Sequence, residues 1–214
     1  MLEEVAEAMQ PWIGVPANPA SAHRAGQNAA MAVDHARTQV ASLVGGEPTG
    51  VIFTSGATEA NHLHIRGLST SLKREGRSLA FSSIEHPCVK ASAEIVRREG
   101  VVLTSLNVNG QGQVQLPPQD NSIGLLCLMA ANHETGVIQN LQEAFEWCAE
   151  SGSRLHVDAT QAAGRIPLLL GEADAVVISS HKIGGPGGVG ALILQHGEHF
   201  PPLISGGAQE RGRR

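Results

Sequence analysis

Short aliphatic runs alternate with helix-length amphipathic stretches from residue 51 onward, and this alternation constrains the fold more than any other feature. Val51–Phe53, Leu79–Phe81, Val101–Leu106, Gly124–Ala131, Leu155–Val157, Ala175–Ile178 and Val189–Leu194 read as buried strands. Helices are expected from Ala57 onward, from about Cys88 to Arg98, and from Asn140 to about Ser151, where Asn140 and Glu143 are spaced as a capping box. Strands alternating with helices imply right-handed crossovers. The expected fold class is therefore α/β, a mainly parallel central sheet flanked by helices on both faces. Upstream, Leu2, Val5, Ala6 and Met9 share a helical face. A second helix is expected from a Ser21 cap to about Val44, with Ala29, Val33, Ala36, Val40 and Leu43 inward and Gly45-Gly46 as its stop. With no Tyr, four Phe and two Trp, the core must be aliphatic. No repeat or linker divides the chain, so residues 1–214 read as one domain or part of a larger one.

Two strand ends carry chemistry. Lys182 follows the run Ala175–Ile178 and precedes Gly184, Gly185, Gly187 and Gly188, which let backbone and a bulky ligand approach closely. An amine at the lip of a buried strand can be partly desolvated, which favours its nucleophilic form. Asp158 follows Leu155–Val157, and in open α/β sheets ligands collect beyond the carboxyl ends of the strands. Pyridoxal phosphate needs an amine to hold it as a Schiff base and a carboxylate to keep its pyridine nitrogen protonated, and Lys182 with Asp158 supplies both. After Val51–Phe53 the small-residue turn Ser55-Gly56 opens a helix whose amino terminus, with Thr58, is a ready phosphate site. Thr58, His86, His133, Asp158, Gln161, Ser179, His181 and Lys182 thus gather at successive strand ends, as one cofactor pocket requires.

Other chemistries fit poorly. A net charge of −5 gives no reason to expect nucleic acid as a partner. Cys88, Cys127 and Cys148 lack metal or disulfide spacing, which fits a reducing cytosol. No apolar run approaches membrane-spanning length and the amino terminus is acidic, so a cytoplasmic protein without a membrane partner is expected. Among the ten His, the pairs His62/His64 and His196/His199 lack the spacing of a metal site. The glycine run after Lys182 lacks the Lys-Ser/Thr pair of a P-loop, and it connects two strands instead of opening a helix.

The stretches NPASAHRAG, FTSGATEAN, IEHPCV, ANHETGVIQ, HVDATQAAG, SSHKIGGPGGVGAL and GGAQERGRR occur in order from Asn18 to the last residue. Together they resemble the cysteine desulfurase branch of the class V aminotransferase family, fold-type I pyridoxal-phosphate enzymes. The resemblance implies that Lys182 forms the aldimine and shuttles protons, Asp158 holds the pyridine nitrogen protonated, and His86 lies over the ring and serves acid–base steps. It places Ala57, Thr58, Ser179 and His181 on the phosphate and Gln161 on the phenolic oxygen. The implied reaction converts L-cysteine to L-alanine and leaves the sulfur on an enzyme cysteine as a persulfide. Sulfur supply to iron–sulfur cluster assembly, a homodimer and a sulfur-acceptor protein are implied with it. The alternatives are another class V enzyme, such as a selenocysteine lyase or a small-amino-acid aminotransferase, or a non-catalytic fragment.

Departures from the family pattern set further expectations. His133 stands where the family usually has a second asparagine; it can still hydrogen-bond the phenolic oxygen but adds a titratable group. Ala208 replaces a glycine and would be strained at positive φ. The family's opening strand, the serine-glycine-threonine that follows the last motif, and the small carboxyl-terminal domain with its sulfur-accepting cysteine are absent. Residues 1–214 are therefore expected to be the large cofactor domain, incomplete at both ends. Such a chain is expected to bind cofactor without completing sulfur transfer and to expose apolar surface.

Overall fold

In the computed structural model, which describes residues 1–168, 170–195, 198 and 200–214, the described strands form one sheet in the order β1-β7-β6-β5-β4-β2-β3. They are β1 (Val51–Thr54), β2 (Ser78–Ser82), β3 (Leu103–Leu106), β4 (Ile123–Met129), β5 (Arg154–Asp158), β6 (Ala175–Ser179) and β7 (Gly190–Leu194). Each expected aliphatic run is a strand. β3, β2, β4, β5 and β6 run parallel, whereas β7 is antiparallel to both β6 and β1. The reversal follows from the short Lys182–glycine link, which turns the chain straight back beside β6 instead of carrying it across the sheet.

The helices are α1 (Glu3–Met9), α2 (Arg24–Val44), α3 (Ala57–Gly67), α4 (Ser69–Glu75), α5 (Pro87–Arg98) and α6 (Leu141–Ser151). Strict alternation fails in two places. Residues 107–122 form the polar excursion expected there, but the β5–β6 link is also built from turns, because Gly164, Pro167 and Gly171 interrupt any helix. Successive strand residues face opposite layers. Val51, Leu126, Val176 and Ile193 pack with α2 and α6, while Ile52, Leu125, Val177 and Leu192 pack with α3 and α5. Burying each such side chain contributes roughly 1.5–3 kcal/mol. Both faces are covered, as the apolar strands require.

Two local expectations are corrected. The cap of α2 is His23, whose Nδ1 accepts the Gly26 N–H at 3.1 Å, and Ser21 lies outside the helix in a turn. Ala208 sits at φ −82 and is unstrained; positive φ falls on Glu210 and Arg211 instead. What holds those residues is Arg37, buried on α2 although charged. Its Nη1 and Nη2 donate to the Glu210 carboxylate at 2.7 and 2.8 Å, Nη1 also reaches Val51 O at 2.8 Å, and the guanidinium lies over the Phe53 ring. Glu210 in turn accepts the Phe53 N–H at 2.9 Å, so the segment Gln209–Gly212 covers the edge strand β1.

At the other end α1 buries no side chain, and Trp12, Ile13 and Val15 are exposed. The Leu2 N–H donates to Gly184 O at 2.8 Å, which ties the start of the chain to the glycine-rich link. Among the described residues no helix is long and apolar enough to cross a membrane.

One close approach sets the geometry of the site. A Cβ on Gly190 would lie 2.6 Å from Gly56 Cα and 2.9 Å from Ile178 O, so β7 can back the β1–α3 turn only with glycine there. Gly190→Ala is expected to cost about 1–3 kcal/mol, as overpacking does. Denaturant unfolding measures it, and a loss below about 0.5 kcal/mol would mean that the turn yields freely.

Candidate active site

The carboxyl ends of β2, β4, β5 and β6 open onto one cavity of about 350 Å³, near the lower end of the roughly 300–1,000 Å³ of small-molecule sites. All nine side chains singled out in the sequence line it: Ala57, Thr58, His86, His133, Asp158, Gln161, Ser179, His181 and Lys182.

Lys182 ends a single 3₁₀ turn, Ser180–Lys182, directly after β6. It is half-buried and makes no hydrogen bond or ion pair among the described residues, so its amine is available to the cavity. The link after it closes through Gly185 N–H to Ser180 O at 2.9 Å and Ser180 N–H to Val189 O at 3.0 Å. Asp158 ends β5 and is buried. Its Oδ1 accepts the Thr160 N–H at 3.0 Å and its Oδ2 accepts Asn61 Nδ2–H at 2.9 Å, donors that favour the carboxylate.

His86 serves as the N-cap of α5: its Nδ1 accepts the Cys88 N–H at 3.2 Å and lies 3.0 Å from Cys88 Sγ. With Nδ1 committed as an acceptor, the neutral ring carries its proton on Nε2. Burial pushes the His86 pKa down; Asp158 pulls it back up, while His133 and Lys182 push it further down. The His133 ring meets His86 edge-on, with centroids 5.2 Å apart.

Helix α3 starts at Gly56 without a side-chain cap, leaving the N–H groups of Ala57 and Thr58 at the cavity wall on the positive end of the helix. Nearby, Ser179 Oγ and His181 Nδ1 pair at 2.9 Å. Gln161 Oε1 accepts from Arg165 at 3.2 Å. An amine, a buried carboxylate and an uncapped helix start on one cavity form the donor set that pyridoxal phosphate requires.

Some residues at this site escaped the sequence reading. Cys88 lines the cavity as well as starting α5, and burial, with Asp158 beside it, raises its pKa. Glu85 is buried next to His86; its Oε1 accepts the Met129 N–H at 2.7 Å and its Oε2 has no partner. Burial first, then Asp158, raises its pKa well above the usual carboxylate range. Below the unfolded-state pKa both states hold this proton. Above it only the folded state does, so stability falls as pH rises towards the folded-state pKa. Glu85→Gln is therefore expected to raise the melting temperature by roughly 2–4 °C at pH 8, and by less at pH 5. An equal gain at both pH values would contradict a buried, protonated Glu85.

Of the histidine pairs, His64 is buried and His62 half-buried on α3, while His196 and His199 lie outside the described residues. Among the described residues no group of three or more His, Cys, Asp or Glu is placed to hold a metal ion.

Comparison with known proteins agrees with this geometry. The chain is 39% identical over 218 residues to a cysteine desulfurase of Trichormus azollae, covering 99% of this chain and 54% of that protein. It is 38% identical to the mitochondrial cysteine desulfurase of Saccharomyces cerevisiae, covering 95% of this chain and 43% of that protein. The chain thus spans about half the length of the curated relatives it matches. Among solved structures, a NifS-like protein superposes with a TM-score of 0.94 at 32% identity, covering all of this chain and 61% of that one. A structure of SspA in complex with cysteine superposes with a TM-score of 0.92 at 31% identity, covering 100% of this chain and 64% of that one. The family model described as aminotransferase class-V matches residues 1–212, so the match takes in every described strand and the nine cavity residues singled out from the sequence. The chain belongs to the aminotransferase class-V family.

Proposed function

We propose that residues 1–214 form the cofactor domain of a pyridoxal-phosphate-dependent cysteine desulfurase, which converts L-cysteine to L-alanine and passes the sulfur to a thiol. The observation that carries this reading is the convergence of Lys182, Asp158 and His86 on one cavity beside the uncapped start of α3. Bound there, pyridoxal phosphate supplies an electron sink for bond breaking next to the substrate's α-carbon. Lys182 Nζ would hold the cofactor and would be the group placed to move a proton at that carbon. Asp158 faces the ring nitrogen and keeps its proton on. His86 covers one face of the ring and presents Nε2–H to the substrate. The N–H groups of Ala57 and Thr58, with the Thr58 and Ser179 hydroxyls and His181, take the phosphate. Gln161 and His133 meet the phenolic oxygen.

The sulfur acceptor is a thiol outside these residues. Cys127 and Cys148 are buried in the core, and burial pushes their pKa up, to about 12 for Cys148. Cys88 is likewise raised and is engaged with His86 and Asn61. The whole enzyme is read as a cytoplasmic homodimer that hands sulfur to an acceptor protein for iron–sulfur cluster assembly. Likeness to cysteine desulfurases supports this, and the cysteine in the SspA structure supports the substrate.

The test uses the chain's low lysine content. Lys182 shares the sequence with Lys73 and Lys90 only, so covalent labelling has three lysine addresses besides the α-amine of Met1. Pyridoxal phosphate is added, the visible spectrum recorded, and the mixture reduced with borohydride and mapped by mass spectrometry. One pyridoxyl group per chain on Lys182 is expected. Labelling spread over all three lysines, or none on a folded chain, would refute the reading.

A further inference from the structure

A file of hydrogen-bonded polar side chains runs from beneath the cavity to the far end of β5. Arg154, His156 and Asp158 alternate onto one face of that strand, and Asn61 and His64 sit one turn apart on α3 above it. The two sets interleave. Asn61 Nδ2 donates to Asp158 Oδ2 at 2.9 Å, and Asn61 Oδ1 meets His156 Nε2 at 2.7 Å. His156 Nδ1 meets His64 Nδ1 at 2.9 Å, and His64 Nε2 meets Glu198 Oε2 at 2.6 Å. Arg154 Nε closes the file on Glu198 Oε1 at 3.0 Å. Asn61, His64 and His156 are fully buried.

With Asp158 as the acceptor at the cavity end, one assignment of donors and acceptors runs along the file. An ionised Asp158 requires the amide nitrogen of Asn61 to face it, which turns Asn61 Oδ1 towards His156 and makes His156 Nε2 a donor. Burial, with His64 alongside, lowers the His156 pKa far below its usual value, so that ring is neutral and its Nδ1 can only accept. His64 Nδ1 must then donate. Burial acts to raise the Glu198 pKa, but the hydrogen bond with His64 and the Arg154 charge outweigh it, so Glu198 anchors the outer end of His64 at 2.6 Å. Without His64, the Asn61 orientation and the His156 tautomer are held from the Asp158 end alone. Asn61 could then turn its oxygen towards Asp158, which disfavours the carboxylate.

We propose that His64, anchored by Glu198, is a positioning residue for Asp158: it holds the His156 tautomer, which orients Asn61, whose amide N–H keeps the Asp158 carboxylate aimed at the cofactor's ring nitrogen. The last link rests on the pyridoxal phosphate reading; the first three do not.

The experiment separates the two. In the cofactor-free protein, nitrogen-15 NMR of labelled histidines is expected to show His156 protonated at Nε2 alone; a proton on His156 Nδ1 overturns the relay. Binding is then compared for pyridoxal phosphate and for its analogue with carbon in place of the ring nitrogen. His64→Leu is expected to weaken pyridoxal phosphate about ten-fold, the lower end of what loss of an outer hydrogen-bond partner does to a bound group, and to leave the analogue unchanged. Glu198→Gln, milder and outside the cavity, gives the same pattern with a smaller factor and serves if His64→Leu does not fold. Equal weakening of both ligands, or of neither, overturns the proposal. If the wild-type chain takes up no pyridoxal phosphate, the functional reading falls and the histidine signals alone decide the relay.

Discussion

Lys182→Ala is expected to abolish borohydride-fixable pyridoxal phosphate, from one group per chain to none, while stability stays within about 0.5 kcal/mol of the wild type. The two halves of this expectation have separate causes. Covalent capture needs a primary amine in the cavity, and the other lysines, Lys73 on α4 and Lys90 on α5, do not line it. Stability is spared because Lys182 is half-buried and makes no hydrogen bond or ion pair among the described residues. The α3 start, Ser179 and His181, which the proposed function puts on the phosphate, remain, so the variant should still bind the cofactor reversibly. Equilibrium dialysis beside the borohydride map checks both. Undiminished labelling in this variant would remove Lys182 from the site.

Glu210→Ala is expected to be the most damaging single change to stability, at about 3–5 kcal/mol, because it leaves Arg37 buried without its carboxylate. The substitution also frees the Phe53 N–H, whose acceptor is Glu210. Relief of the positive φ at Glu210 offsets little of this, since alanine meets the same backbone constraint. Arg37→Met combined with Glu210→Ala should be less damaging than Glu210→Ala alone, because the uncompensated charge goes with its partner. Urea unfolding of the two variants distinguishes a buried ion pair from an exposed one, for which both changes would fall below about 1 kcal/mol.

Much of the fold was legible because aliphatic runs this short and this well punctuated have few uses other than as buried strands. The site was legible for a related reason: in a parallel sheet the residues just after each strand gather at one end, so Asp158, Ser179 and Lys182 meet by topology. The direction of β7 is not carried by its apolar run, which packs equally well either way, but by the short link before it, which leaves no room for a crossover. The Asn61–His156–His64 file was not legible. Each member sits in an element that reads as ordinary on its own, and only the stacking of α3 on β5 brings them together. Signals did exist. His156 is a polar residue inside a short buried run, and Asn61 and His64 share a helical face that the apolar pattern marks as inward. Arg37 hid for the same reason: its partner Glu210 lies far along the chain.

The reversed β7 has a consequence for how the chain comes off the ribosome. β1 takes its place beside β7, pairing Val51 with Ile193, and among the described strands β7 is its sole neighbour in the sheet. Until β7 emerges, β1 has no strand to join, and at about 5–20 residues per second that wait is roughly 7–28 s. Over the same interval β2 to β6 can pair with one another in turn. The start of α3, which follows β1 directly, is therefore set in its final position only when β7 joins the sheet, so the α3 end of the cavity is completed after its lysine and its carboxylate have been made.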